Sequence, residues 1–191
     1  MAGDDPDGRL RLFVDTLLHW NASINLVSRG DMPLLWSRHI ADSVQLGEVL
    51  GPLPERLIDL GSGGGFPGLV LAIRFGVHVD LIEEDRRKCA FLREAVRLTG
   101  APATVHQTRI EKAAVAPAPV VTARALASVT RLLDYAEPLL APGGACWFPK
   151  SRNVEAELAE AEQHWTMRVE RIPSRTDPSG VILRLTEIGR R

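Results

Sequence analysis

The residues with the clearest chemical potential are Leu57-Ile58-Asp59-Leu60, followed by Gly61-Ser62-Gly63-Gly64-Gly65-Phe66-Pro67-Gly68. An apolar strand that ends in a glycine run and opens a helix is a nucleotide-type binding turn. Glycine lets the backbone turn sharply and lets a ligand approach without meeting a Cβ. Glu83 lies 22 positions after Gly61, where a carboxylate accepts hydrogen bonds from ribose hydroxyls. Gly63-x-Gly65-x-x-Gly68 satisfies the dinucleotide pattern, but it begins two residues beyond the strand end. Pro67 also removes an amide donor where a pyrophosphate needs one. Asp59, immediately before the loop, suits a cofactor with a cationic amino group better than one with a diphosphate. S-adenosylmethionine has an amino acid tail, a ribose and no phosphate, and the loop is read as its site.

The fourth apolar run bears on the acceptor. Enzymes that methylate an exocyclic amine usually carry an Asn/Asp-Pro-Pro-aromatic motif there, and this chain has Val121-Thr122-Ala123-Arg124-Ala125. Pyrimidine C5 methylation needs an exposed cysteine nucleophile. Cys89 and Cys146 both sit in apolar surroundings and read as reduced core residues, too few for a disulfide framework or a zinc site. A ring nitrogen with a free lone pair, such as guanine N7, needs neither device, only alignment of nitrogen, methyl and sulfur. Lys150 ends the fifth strand, on the side that lines an acceptor pocket, and is read as meeting a phosphate or base edge of the acceptor, assisted by Arg152. Arg86, Arg93 and Arg97 form a helical stripe that is either a solvated face or a phosphate contact. Arg38-His39, beside Trp36 and Ile40, reads first as a packed interface and second as a substrate contact. Glu155, Glu157, Glu160 and Glu162 read as an exposed helix face. His19, His78, His106 and His164 have no companions at metal-ligand spacing, and no metal site is expected.

These residues must be held by elements legible from periodicity. Residues 1–8 read as a frayed end, followed by a helix with Leu10, Phe13, Val14, Leu17 and Leu18 on its apolar face. A second helix is predicted from an Asp31 N-cap, with Pro33 in its first turn, to about Leu50. From Arg56, strands at 56–60, 77–83, 103–107, 119–123 and 144–149 alternate with helices at 67–75, 85–99, 128–140 and 153–164. Such alternation implies a parallel sheet with helices on both faces. Runs at 167–173 and 180–188, separated only by a turn, must be antiparallel. The expected fold is α/β: a Rossmann-like, seven-stranded methyltransferase sheet over residues 54–191, preceded by a small helical appendage over residues 1–53.

Whole-chain numbers set outer limits. At 191 residues and 20.9 kDa the chain is one domain's length. With 23 Lys+Arg against 24 Asp+Glu, the net charge of −1 excludes a strongly basic nucleic-acid coat, so any polyanion must be met by a local patch. The acidic start, MAGDDPDGRL, lacks the features of a signal peptide, and the longest apolar stretch, Leu69 to Ile73, is far too short for a membrane span. A cytoplasmic monomer with no membrane partner is expected.

Several blocks carry a resemblance: Trp20-Asn21, Asn25-Leu26-Val27-Ser28, Arg38-His39-Ile40 with Asp42-Ser43, Ile58 through Gly68, and Thr122-Ala123-Arg124-Ala125. In order and spacing, over roughly residues 17–150, the chain resembles the bacterial small-subunit rRNA methyltransferase G family, also called glucose-inhibited division protein B. The resemblance implies methyl transfer from S-adenosylmethionine to N7 of a guanine in the decoding-region loop of 16S rRNA, free or within the small subunit or an assembly intermediate. It also implies cofactor contacts at Gly61, Phe66, Ile110, Glu111 and Arg124, with Gly63, Gly65 and Glu83 added from the loop itself. Arg124 and Lys150 are the expected positioning groups for the target, and Arg38, His39 and Lys150 the expected substrate contacts. Many members have leucine where Phe66 stands, and the N-terminal segment here is short. Other readings stay open: a methyltransferase for a small molecule or a protein, a nicotinamide-dependent reductase, or a non-enzymatic RNA-binding factor. The reductase lacks support from a Tyr-x-x-x-Lys pair, since Leu139 stands four positions after Tyr135.

Overall fold

Alternate residues of the same strands feed two apolar cores on opposite faces of one sheet. In the computed structural model, which describes residues 5–151 and 153–191, Leu57 joins one core while Ile58 and Leu60 join the other. The strands are β1 (Arg56–Leu60), β2 (His78–Glu83), β3 (Ala103–Gln107), β4 (Ala118–Ala123), β5 (Leu140–Lys150), β6 (Trp165–Pro173) and β7 (Val181–Arg190). Their order is β3-β2-β1-β4-β5-β7-β6. The first five are parallel, and β7 runs antiparallel between β5 and β6, as the terminal hairpin requires. Strand order reverses between β1 and β4, so a crevice opens beyond their carboxyl ends.

The first core lies under α1 (Pro6–Asn21), α2 (Ala41–Leu50), α3 (Gly68–Phe75) and α4 (Arg86–Thr99). The second lies under α5 (Val129–Ala136) and α6 (Val154–Ala161). The N-terminal helix is built into the first core: Phe13 is fully buried, with its ring centroid 5.5 Å from Phe66 and 6.2 Å from Phe91. Both cores depend on side chains that alternate across the pleat.

Several element boundaries differ from expectation. Helix α1 begins at Pro6 because the Asp5 carboxylate caps it, accepting from the Gly8 amide at 2.9 Å. The expected fraying therefore does not extend to residues 5–8, and residues 1–4 lie outside the described residues. Leu18, expected on the apolar face, is 38% exposed. The single helix expected over 31–50 is three elements: a 3₁₀ turn (Met32–Leu34), a π-helical stretch (Leu35–Ile40) and α2. Asp31 caps nothing with its side chain; it accepts instead from Ser28 Oγ (2.7 Å) and Arg38 (3.1 Å). Pro33 lacks an amide donor, and the chain enters through a tight turn before widening. Helix α5 ends four residues early, in a 3₁₀ turn at Glu137–Leu139 that contains Pro138. Among the described residues, no helix is long and apolar enough to cross a membrane.

Candidate functional site

The glycine loop floors a cleft of about 690 Å³ at the carboxyl ends of β1, β2 and β4. Gly61 (φ +61°) and Gly63 (φ +51°) occupy the left-handed region and face this cleft. Phe66, Glu83, Ile110, Glu111 and Arg124 line it too, so seven of the eight expected cofactor contacts meet in one place. Glu83 has a second task. Its carboxylate accepts the Gly63 amide (2.9 Å) and the Asp85 amide (2.9 Å), tying the loop to the start of α4. Glu111 is half-exposed at the rim, 3.3 Å from Arg131.

Gly65 is the eighth, and it faces the other way. A Cβ there would stand 3.2 Å from Phe13 Cζ and Leu69 Cβ, so it permits core packing rather than ligand approach. Gly68 behaves similarly: a Cβ would stand 2.6 Å from Asp59 Cβ and 2.7 Å from Leu81 Cδ2. Two of the three glycines in the dinucleotide pattern thus serve core packing, Gly65 between helices and Gly68 between helix and strand. Asp59 is also not a cleft residue. It is fully buried, Thr122 Oγ1 donates to its Oδ1 at 2.9 Å, and its Oδ2 lacks a hydrogen bond of ordinary geometry. Burial pushes its pKa up to about 6, opposed by the Ser62 and Thr122 hydroxyls, the Gly68 backbone and the Arg124 charge. The sequence placed an acid beside the loop correctly, but strand alternation turns it under α3.

Arg124 sits at the end of β4, where a second cleft of about 560 Å³ adjoins the first. His39, Arg124, Ala125 and Leu126 line both. One Arg124 Nη donates to His39 Nδ1 at 2.7 Å; the other lies 3.9 Å from Asp42, and the guanidinium carbon stands 4.9 Å from the Phe66 ring centroid. Burial, and then the Arg124 charge, lower the His39 pKa to about 4. The imidazole is therefore neutral near pH 7. Its Nδ1 accepts from Arg124, so the proton is on Nε2.

Arg38 and Lys150 line the second cleft with His39, but neither is a free cation. Arg38, half-exposed, is paired with Asp31 at 3.1 Å. Lys150 Nζ donates to the Ala127 carbonyl (2.7 Å) and pairs with Glu157 (2.6 Å), whose carboxylate accepts the Val129 amide (2.9 Å). Glu157 thus leaves the exposed acidic face expected for α6. Arg152, expected to assist Lys150, lies outside the described residues. In the arginine stripe, Arg93 donates to Gln107 at 3.2 Å and Arg97 pairs with Glu94 at 2.8 Å. Both cysteines are buried, as read.

Two residues here carried no sequence signal. Gln45 is buried; its amide donates to Ser174 (2.9 Å) and Thr176 (2.8 Å) and its Oε1 accepts the Arg175 amide (2.9 Å), docking the β6–β7 turn beside the second cleft. Leu126 is 37% exposed at the junction of the clefts. Both depend on partners distant in sequence. A non-glycine left-handed residue, Ala125 (φ +53°), precedes Leu126.

A family model described as "rRNA small subunit methyltransferase G" matches residues 7–179. "Ribosomal RNA small subunit methyltransferase G" of Rhodospirillum centenum is 55% identical over 183 residues, covering 96% of this chain and 85% of that protein. Its counterpart in Gluconobacter oxydans is 53% identical over 182 residues, covering 95% and 94%. Among solved structures, the N-methyltransferase NodS from Bradyrhizobium japonicum, in complex with S-adenosyl-L-homocysteine, superposes with a TM-score of 0.58 at 15% identity. That similarity covers 90% of this chain and 97% of NodS, and it speaks to the fold alone.

Proposed function

The chain belongs to the rRNA small subunit methyltransferase G family, and on that premise we propose that it methylates N7 of a guanine in 16S rRNA. It is an rRNA methyltransferase dependent on S-adenosylmethionine. The residues present fit that group. Gly63 leaves bare backbone where a side chain would enter the cleft, Gly61 lines the same cleft under Leu126, and Glu83 presents a carboxylate at the end of β2. In this reading Gly61 and Phe66 meet the methionine portion, Glu83 accepts from the ribose, and Ile110 and Glu111 flank adenine. When bound, the cofactor supplies an electrophilic methyl on a sulfonium sulfur.

One observation carries the N7 reading: two clefts meet at Arg124 and His39, and among the described residues the carboxylates at that junction are engaged by arginines, Asp31 by Arg38 and Asp42 by Arg124. The His39 lone pair is already engaged by Arg124. Asp59, the nearby buried acid, is not among the residues lining either cleft. Guanine N7 offers an in-plane lone pair and loses no proton on methylation, so alignment suffices. Arg124 positions the acceptor, Arg38 and His39 border it, and Lys150 acts through the Ala127 carbonyl. We assign the chain to the cytoplasm as a monomer, with 16S rRNA as its partner, inside the small subunit or an assembly intermediate.

Mapping the methyl by mass spectrometry, after incubating small subunits from a deletion strain with enzyme and labelled S-adenosylmethionine, tests the proposal. The expected product is one 7-methylguanine per 16S rRNA. Label on an exocyclic amine, on a ribose or on ribosomal protein would overturn it.

A further inference from the structure

Leu126 is an exposed leucine held in a position that the chain takes trouble to fix. The loop that carries it, residues 124–128, is anchored at three points. Arg124 is bound to His39, the Ala127 carbonyl accepts from Lys150, and the amide of Val129, just beyond the loop, donates to Glu157, which Lys150 also pairs. Between these anchors Ala125 adopts φ +53°, a left-handed conformation strained for a non-glycine residue. Such strain persists only where surrounding contacts over-determine it. Its consequence is local: Leu126 lies across the bare backbone of Gly61, where a Cβ would stand 2.7 Å from Leu126 Cδ1. Among the described residues that line both clefts, Leu126 alone carries a branched apolar side chain.

We propose that Leu126 is the apolar platform against which the ring of the target guanine lies, and that the Lys150–Glu157 pair acts by holding the loop that presents it. This rests on the reading of the second cleft as the acceptor site. An unpaired base drawn out of an RNA loop gives up its stacking neighbours, and the protein must supply a flat or apolar replacement. The second cleft is apolar in addition at Pro149, Val181 and Ile182, so a purine face is covered from more than one wall. Lys150 has its ammonium engaged by a carbonyl and a carboxylate within 2.7 Å, which makes it a positioning residue rather than a phosphate contact.

Steady-state kinetics on small subunits, with calorimetric titration of S-adenosylmethionine, separate the roles. Leu126→Ala is expected to raise KM for the particle about tenfold and to leave the Kd for S-adenosylmethionine within about twofold, with Leu126→Phe close to wild type. Because Leu126 is exposed, the melting temperature should stay constant. Lys150→Met should raise the same KM, and the Leu126→Ala/Lys150→Met double variant should be no worse than the poorer single variant. Additive losses would return Lys150 to direct RNA contact and overturn its assigned role. A particle KM unchanged by Leu126→Ala, or a loss matched by weaker cofactor binding, would overturn the platform. Absence of N7 methylation by the wild-type enzyme would overturn both this inference and the function on which it rests.

Discussion

Gly61 is the residue where backbone conformation and ligand access coincide. Its φ of +61° strains any other residue, and a Cβ there would stand 2.7 Å from Leu126 Cδ1 on the cleft wall. Gly61→Trp should therefore abolish cofactor binding by occluding the cleft floor. Isothermal calorimetry is expected to give no measurable heat with S-adenosylmethionine in a variant that still melts cooperatively. Wild-type affinity would remove the glycine loop from the cofactor site. Gly65, three positions after Ser62, has the same residue type and the opposite duty, because its Cβ position is closed by Phe13 and Leu69. Composition alone does not distinguish these glycines; what lies behind each one does. His39 shows the same limit. The sequence left it balanced between substrate contact and interface, and the structure makes it the acceptor for Arg124 on the wall shared by both clefts.

At the scale of elements, strand–helix alternation was legible because each strand is a short apolar run and each helix carries its own period. The stretch 31–50 was not legible. Its hydrophobic spacing fits one helix, yet π winding over Leu35–Ile40 turns His39 toward Arg124, a contact made 85 positions away in sequence. Asp59 fails for a related reason: alternation along β1 points it under α3, against Gly68 and Thr122, and away from the cleft. A testable consequence follows from its pKa of about 6. Taking the unfolded value as the ordinary 3.8, the native state holds an extra proton between pH 3.8 and 6. Above pH 6 it carries a buried carboxylate at a cost of up to about 3 kcal/mol. Acidification through this window relieves the cost in the wild type and does nothing for Asp59→Asn. Chemical denaturation at pH 4 and pH 7 should show the variant gaining on the wild type by up to about 3 kcal/mol as pH rises. Parallel stability curves would mean that Asp59 titrates normally.

At the scale of the whole molecule, near-neutral charge is matched by pairing of the surface. Arg74, Arg97, Arg109, Arg171, Arg184 and Arg190 each face a carboxylate within 3.4 Å. Cations already paired release fewer counterions from RNA than free ones, so bulk attraction contributes little to affinity. Recognition then rests on shape and on a few groups around the two clefts, such as Lys88, supplemented by the structure of the target itself. About three phosphate contacts predict that log K falls with log salt at a slope of about −2 for single-stranded RNA. Binding to small subunits measured between 50 and 300 mM potassium chloride (about a sixfold range) should show this shallow dependence, with poor binding to unstructured RNA of equal length. A slope steeper than about −6 would require a broad basic footprint, and this chain, with as many carboxylates as cations to within one, would have to supply it by breaking the surface ion pairs that the fold has made.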